Sequence, residues 1–258
     1  MNNQISINIA AWSYPLAEMC VYSIRKFYPT IPINIAMSKV RDEKRVPFFE
    51  KMLVNPVFCS KNPHHFRMDE LIKRCETPFF MCMDDDVIFK KNGLIEDMMS
   101  LFDGDNIFIV GETQVQQKFK DKMILPRINP AVLLLRKNLF LQYRMTFKRM
   151  WPEDYLKLNG VNNKNDFLID TAGFLLIDAI KYGLQYKNFL WNKYAVHYGA
   201  SSYMIFQYAK VDLLSMVKED LFVRLNPSMF EIKKINPYFR KTLDLIIKTN
   251  NDMLDEMN

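Results

Sequence analysis

Ile5, Ile7 and Ile9 alternate with Ser6 and Asn8, a period of two that predicts a β-strand over residues 5–11. Pro15 suits the first turn of a helix, and Leu16, Cys20, Ile24 and Phe27 follow at helical spacing before Pro29 closes the segment. Residues 33–37 read as a second strand. Strand, helix and strand make a βαβ unit, which implies parallel pairing through a right-handed crossover. Asn62 and Pro63 form a second helix start, with Met68, Leu71, Ile72 and Cys75 along one face. An apolar run then follows Pro78 as a buried strand. Residues 92–102 read as a helix with Leu94, Met98, Leu101 and Phe102 inward; Gly104 and Asp105 turn the chain, and residues 107–110 form a further strand. This alternation predicts an α/β fold, a mostly parallel central sheet flanked by helices, up to about residue 112.

The later pattern is less regular. Residues 131–135 read as a core strand, 173–177 fit a strand or the start of a helix, and 195–198 form a short strand or turn. Residues 204–225 and 237–256 read as C-terminal helices, separated by Asn226-Pro227 and Asn236-Pro237.

The 258 residues suit one large domain or a domain with an appended subdomain, and only 7 of them are Gly, which argues against a loop-rich chain. The cysteines (Cys20, Cys59, Cys75, Cys82) form no C-x-x-C pair, so free thiols in a reducing compartment are expected, with Cys20 and Cys82 in the core. No secretory leader is apparent, and no run approaches the roughly 18 apolar residues of a membrane span. The expectation is a cytoplasmic protein, soluble or at most peripheral.

The net charge of +6 is unevenly placed. Between Thr113 and Met150 nine basic residues, Lys118 through Arg149, face a single acid, Asp121. The surplus exceeds that of the whole chain, so the remainder is slightly acidic. Phe119, Phe140, Tyr143, Phe147 and Trp151 lie in or beside this segment. Basic residues interleaved with aromatics fit an anionic partner: nucleic acid, phosphorylated lipid or a diphosphate. A solvated, Lys-decorated surface is the alternative.

The sharpest chemical signal lies at the end of the third predicted strand. An apolar run stops abruptly at Asp84, Asp85 and Asp86. Three adjacent carboxylates repel one another unless a cation neutralises them. Open α/β sheets bind ligands at the carboxyl ends of their strands. Oxygen donors suit Mg²⁺ or Mn²⁺, often shared with substrate phosphates. The cluster therefore suggests a metal-bound nucleotide diphosphate; the plain alternative is a solvated turn.

With residues 23–35, 71–89 and 106–111 in view, the N-terminal half resembles the nucleotide-sugar glycosyltransferases of the GT-A fold. It is most similar to inverting, family-2-like members and N-acetylgalactosaminyltransferase-type relatives. The resemblance implies a nucleotide-sugar-binding half over 1–112, an acceptor-side half over 113–203 and C-terminal helices over 204–258. It implies a nucleotide diphosphate sugar donor, a UDP-sugar foremost, and Mn²⁺ or Mg²⁺ as cofactor. Asp86 would bind the metal directly, and Asp84 and Asp85 would contact ribose or complete the metal shell. Ala11, Trp12 and Ser13 would lie near the nucleobase, and Arg67 near the nucleotide. Where many relatives carry acids after the second strand, this chain reads Met37-Ser-Lys-Val-Arg-Asp42, which leaves the base open.

His197 is the candidate for a further metal ligand, since a neutral imidazole accepts Mn²⁺ and the resemblance places such a group late in the chain. An inverting displacement needs a carboxylate base for the acceptor hydroxyl. Glu153, Asp154, Asp166 and Asp170 are available, with Asp170 preferred because it follows an apolar triplet and precedes Thr171. No Gly-Glu-Asp or Arg-Trp element of processive synthases is present. The expected acceptor is a glycan or lipid-linked saccharide, with hydroxylated DNA bases as the alternative that the basic segment keeps open. A nucleotidyltransferase shares such a sheet but usually carries a Gly-rich phosphate loop, and residues 9–15 hold no glycine. A binding module that keeps the fold without turnover is the third reading.

Overall fold

The computed structural model describes residues 4–11, 16–38, 43–60, 64–114, 117–119, 122–124, 127–147, 167–168, 172, 175–198, 227–230 and 237–257. The chain opens with β1 (Ile5–Ala10), α1 (Leu16–Phe27) and β2 (Ile33–Met37), then a short helical turn at Glu43–Arg45, α2 (Val46–Lys51) and β3 (Val54–Phe58). α3 (His64–Arg74) leads into β4 (Phe79–Asp84), followed by β5 (Val87–Phe89), α4 (Leu94–Ser100) and β6 (Ile107–Gln114). β7 (Gln117–Phe119), β8 (Lys122–Ile124), β9 (Arg127–Arg136), α5 (Lys137–Gln142) and β10 (Phe167–Leu168) come next. α6 (Leu175–Lys181), β11 (Gln185–Asn188), β12 (Ala195–His197) and α7 (Pro237–Met257) complete the described elements.

Seven strands form one sheet in the order β11-β6-β9-β4-β1-β2-β3. β1 pairs in parallel with both β2 and β4, and β2 with β3. β9 runs antiparallel to β4 on one side and β6 on the other. A strand from later in the chain thus sits inside the sheet built by earlier ones.

Helices cover both faces, which is why β1 is buried along its whole length although Ser6 and Asn8 are polar. Ile5, Ile7 and Ile9 face a layer containing Leu16, Cys20 and Ile24 of α1, Met98 of α4 and Ile246 of α7. Phe80 and Cys82 face the opposite layer, with Met68, Leu71 and Ile72 of α3, Phe140 of α5 and Leu175 of α6. On that second face the polar strand residues bond to one another in register: Asn55 donates to Asn34 and Asn34 to Asn8 across three strands.

Of the segment 173–177, which fits either a strand or a helix by pattern, residues 175–177 lie in helix α6, and 173 and 174 lie outside the described residues. Of the C-terminal helices expected from sequence, 237–256 is helical as α7, and 204–225 lies outside the described residues. All four cysteines are buried free thiols. No helix among the described residues is long and apolar enough to cross a membrane.

Candidate metal centre

β4 is apolar from Phe79 to Met83 and delivers Asp84 to the carboxyl end of the sheet. Asp85 and Asp86 form the turn that follows, and β5 after it belongs to a separate two-stranded sheet. β5 is held against α1, because Ser23 Oγ accepts the Phe89 N–H while donating to the Cys20 carbonyl. β12 then pairs antiparallel with β5, setting His197 opposite Val87, one residue from Asp86. The Tyr198 N–H donates to the Asp86 carbonyl, and the Tyr198 hydroxyl meets Thr249 Oγ1 of α7 at 2.9 Å. A pairing across more than a hundred residues of sequence therefore brings the imidazole to the acids.

His197 Nε2 lies 3.0 Å from Asp86 Oδ1 and 3.7 Å from Asp84 Oδ2. One donor atom from each of Asp84, Asp86 and His197 falls within 4.8 Å of the others. Asp86 is only 3% exposed, whereas Asp84 and His197 are partly open to solvent. Burial alone would draw the His197 pKa down. The hydrogen bond to Asp86 and the charges of Asp86, Asp84 and Asp85 overcome it, and the value is raised. The acids of the turn thus favour a proton on His197. Two carboxylate oxygens and one imidazole nitrogen could hold a divalent cation, and the donor set fits Mn²⁺ or Mg²⁺.

Cys20 lies beneath this turn, with Sγ 3.8 Å from the Asp84 carbonyl. Burial, then the charges of Asp85, Asp86 and Asp84, push its thiol well up, so it serves as core and not as a nucleophile.

Ala11 follows the last residue of β1 and is buried. Arg67 is also buried, and its guanidinium donates to the Ala11 carbonyl. The two residues expected on the nucleotide side are thus bonded to each other, α3 to the end of β1. Asp85 is buried at 4% exposure in the turn between the other two acids. Trp12, Ser13, Asp154, Asp166 and Asp170 lie outside the described residues, as does Glu153.

Two features were not read from sequence. His64, the first residue of α3, places Nε2 3.2 Å from Asp84 Oδ1. Glu18 in the first turn of α1 and Arg45 after β2 form a buried ion pair at 2.6 Å. Both follow strands of the carboxyl edge, so the pair ties the α1 start to the segment beyond β2. Burial raises the Glu18 pKa against the opposing pull of Arg45. The basic segment also changes character. Arg136 packs over Phe79 and Phe102 and donates to the Ile107 and Gly104 carbonyls. Lys137 donates to the Cys75 carbonyl at 2.6 Å. These two cations brace the fold.

No protein-family model matches the chain, and no curated protein matches its sequence. Solved structures do resemble it. Residues 1–349 of TarS from S. aureus align with a TM-score of 0.50 at 13% identity, over 78% of this chain and 62% of that one. The mannosyltransferase PcManGT from Pyrobaculum calidifontis, solved with GDP-Man and Mn²⁺, gives 0.48 at 8% identity, over 73% of this chain and 55% of its own. A cytidylyltransferase from Leptospira borgpetersenii gives 0.46 at 11% identity, over 98% and 97%. The chain thus spans about half the length of the mannosyltransferase. At these identities the likeness to TarS shows the fold: a Rossmann-like α/β sheet of the GT-A kind.

Proposed function

We propose that this chain is a metal-dependent glycosyltransferase. It moves a sugar from a nucleotide diphosphate sugar, a UDP-sugar foremost, to an acceptor hydroxyl by inverting single displacement. The observation that carries this reading is the convergence of Asp84, Asp86 and His197 at the carboxyl edge of a mostly parallel sheet, where such folds bind nucleotides. Asp86, Asp84 and His197 would hold Mn²⁺ or Mg²⁺, which when bound supplies charge neutralisation to the departing diphosphate. Asp85 serves the ribose side. Ala11, Trp12 and Ser13 border the nucleobase, and Arg67 keeps the Ala11 carbonyl in place for that task. Asp170 takes the proton from the acceptor hydroxyl, with Asp166 and Asp154 as the other carboxylates for that role.

On this reading residues 1–112 form the donor side, 113–203 the acceptor side and 204–258 a helical extension. The acceptor is a glycan or lipid-linked saccharide, its anionic character matched by the basic residues between Thr113 and Met150 other than Arg136 and Lys137.

The test is a panel of sugar nucleotides incubated with Mn²⁺, followed by product analysis. One donor should raise the melting temperature and release its free nucleoside diphosphate. Pyrophosphate release from a nucleoside triphosphate would instead identify nucleotidyl transfer. Tight, salt-sensitive DNA binding would move the acceptor to a nucleic acid. If no sugar nucleotide shifts the melt or turns over, the reading fails.

A further inference from the structure

Asp84 is bracketed by two imidazoles, one on each carboxylate oxygen. His197 Nε2 stands 3.7 Å from Oδ2, on the side shared with Asp86, and His64 Nε2 stands 3.2 Å from Oδ1. The group whose donor atoms all lie within 4.8 Å of one another contains Asp84, Asp86 and His197, and His64 does not join it. We propose that His64 is a positioning residue: it holds Asp84 Oδ1, so that Oδ2 is presented to the divalent cation. This rests on the metal reading of the site and adds to it a partner from outside the ligand set.

The physical need is plain. The terminal torsion of an Asp side chain is broad and roughly two-fold, so an unheld carboxylate samples orientations that a cation must then select. Asp84 is the more open of the two acidic candidates, with 23% of its side chain exposed against 5% for Asp86. Of the two acids it has the more freedom to lose. His64 Nε2 is buried and makes no hydrogen bond to Asp84 Oδ1, 3.2 Å away, in the metal-free protein; turning the ring to donate there would remove that freedom as the metal binds. Outer-shell partners of metal ligands act in this way, and their loss costs about 10–100-fold in affinity. The role requires the proton of the neutral His64 ring on Nε2.

His64 is itself well placed to hold something still, because α3 is anchored along its length. Met68, Leu71 and Ile72 are buried against the sheet. Arg67 bonds the end of β1. Asp69 accepts from Thr146 Oγ1 at 2.5 Å and from the Phe147 N–H at 2.8 Å. Its first residue therefore stands at a position fixed by the core and not by a loose loop.

The experiment measures Mn²⁺ binding to the full chain by EPR titration, with pulsed EPR reading nitrogen coupling to the bound ion. Wild type should bind Mn²⁺ with one coordinated imidazole, and His197→Ala should abolish that coupling. His64→Ala should weaken binding by about 10–100-fold while the nitrogen coupling and the melting temperature in EDTA stay as in wild type. His64→Gln, whose amide reaches the Nε2 position, should restore affinity. His64→Asn, whose amide stops at the Nδ1 position, should not, and it carries the test if the Ala variant fails to fold. Undiminished affinity in both the Ala and Asn variants overturns the proposal. Loss of a nitrogen coupling in either also overturns it, making His64 a ligand. Absence of Mn²⁺ binding by wild type would sink the metal reading itself, a separate outcome.

Discussion

His197 Nε2 meets Asp86 Oδ1 at 3.0 Å although 110 residues separate them in the chain, and main-chain pairing rather than the side-chain contact holds both in place. Asp86 follows the end of β4, a core strand, and His197 ends β12, which hangs on β5. Neither position depends on the other side chain. Asp86→Asn should therefore leave the fold intact, and in EDTA at a pH above the His197 titration, where the imidazole is neutral and the ion pair contributes nothing, its melting temperature should equal or exceed that of wild type, because a charge is removed from a crowded acidic turn. Its Mn²⁺ affinity should fall by more than the roughly 10–100-fold typical of outer-shell changes, and metal-dependent sugar-nucleotide hydrolysis should disappear. Calorimetric titration with Mn²⁺ and a nucleotide-release assay check both. Persisting activity would reject the assignment of Asp86 as a ligand.

The same contact sets a pH dependence. In the metal-stripped protein the His197 pKa is raised: burial opposes the charge, but Asp86, Asp84 and Asp85 favour it more strongly. A group with a raised folded value stabilises the native state fully below its unfolded value, about 6.5, and loses that contribution as pH rises through the folded value. Stability in EDTA should thus decline as pH climbs above the ordinary histidine value. Mn²⁺ affinity should change the opposite way over the same window, since the ligand is neutral imidazole and the cation competes with the proton. With only three histidines in the chain, ring-proton NMR resolves the titration directly. A His197 pKa unchanged between wild type and Asp86→Asn would contradict this electrostatic account.

How much of this was legible in the sequence depended on whether the signal was local. The alternation of Ile5, Ile7 and Ile9 and the helical spacing of Leu16, Cys20 and Ile24 gave β1 and α1, because each face meets a separate core layer. The bounds of β2 coincide with the expected 33–37. α2 and β3 went unread. α2 is a single short helix of six residues, too brief for a period to show, and β3 carries Pro56 and an exposed Asn55. Pro is tolerated there because β3 is an edge strand of the sheet. The order of strands was also beyond reach: residues 131–135 read as core, but nothing in them says that β9 threads between β4 and β6. The site shows the same division. The aspartates and His197 announced themselves by residue type, whereas His64 and the Glu18–Arg45 pair are defined only by tertiary proximity.

That buried pair makes a sharp prediction. Glu18 and Arg45 are 1% and 2% exposed, so removing one partner strands the other's charge in the core. Arg45→Met alone should destabilise the protein by about 3–5 kcal/mol, seen as a shift of the urea midpoint at constant slope. The double variant Glu18→Leu with Arg45→Met should recover most of the loss, because matched apolar side chains remove both desolvation costs. A double variant as unstable as the single one would show that the pair is held for reasons other than mutual neutralisation.

Asp170 carries the last prediction, since the proposed reaction needs a base as well as a donor site. A base acts on the acceptor hydroxyl, so its loss should strike transfer and spare donor binding. Asp170→Asn keeps the shape and removes the proton acceptor. The expected outcome is a fall in transfer rate of about 10²–10⁴-fold with the affinity for the nucleotide sugar unchanged. Single-turnover transfer and a separate donor titration distinguish the two effects. Equal transfer rates would remove Asp170 from the role, and the same pair of measurements on Asp166→Asn and Asp154→Asn would then find the carboxylate that holds it. If these three variants and Glu153→Gln all transferred sugar as fast as wild type, the direct-displacement mechanism would lack its base and a retaining course would take its place.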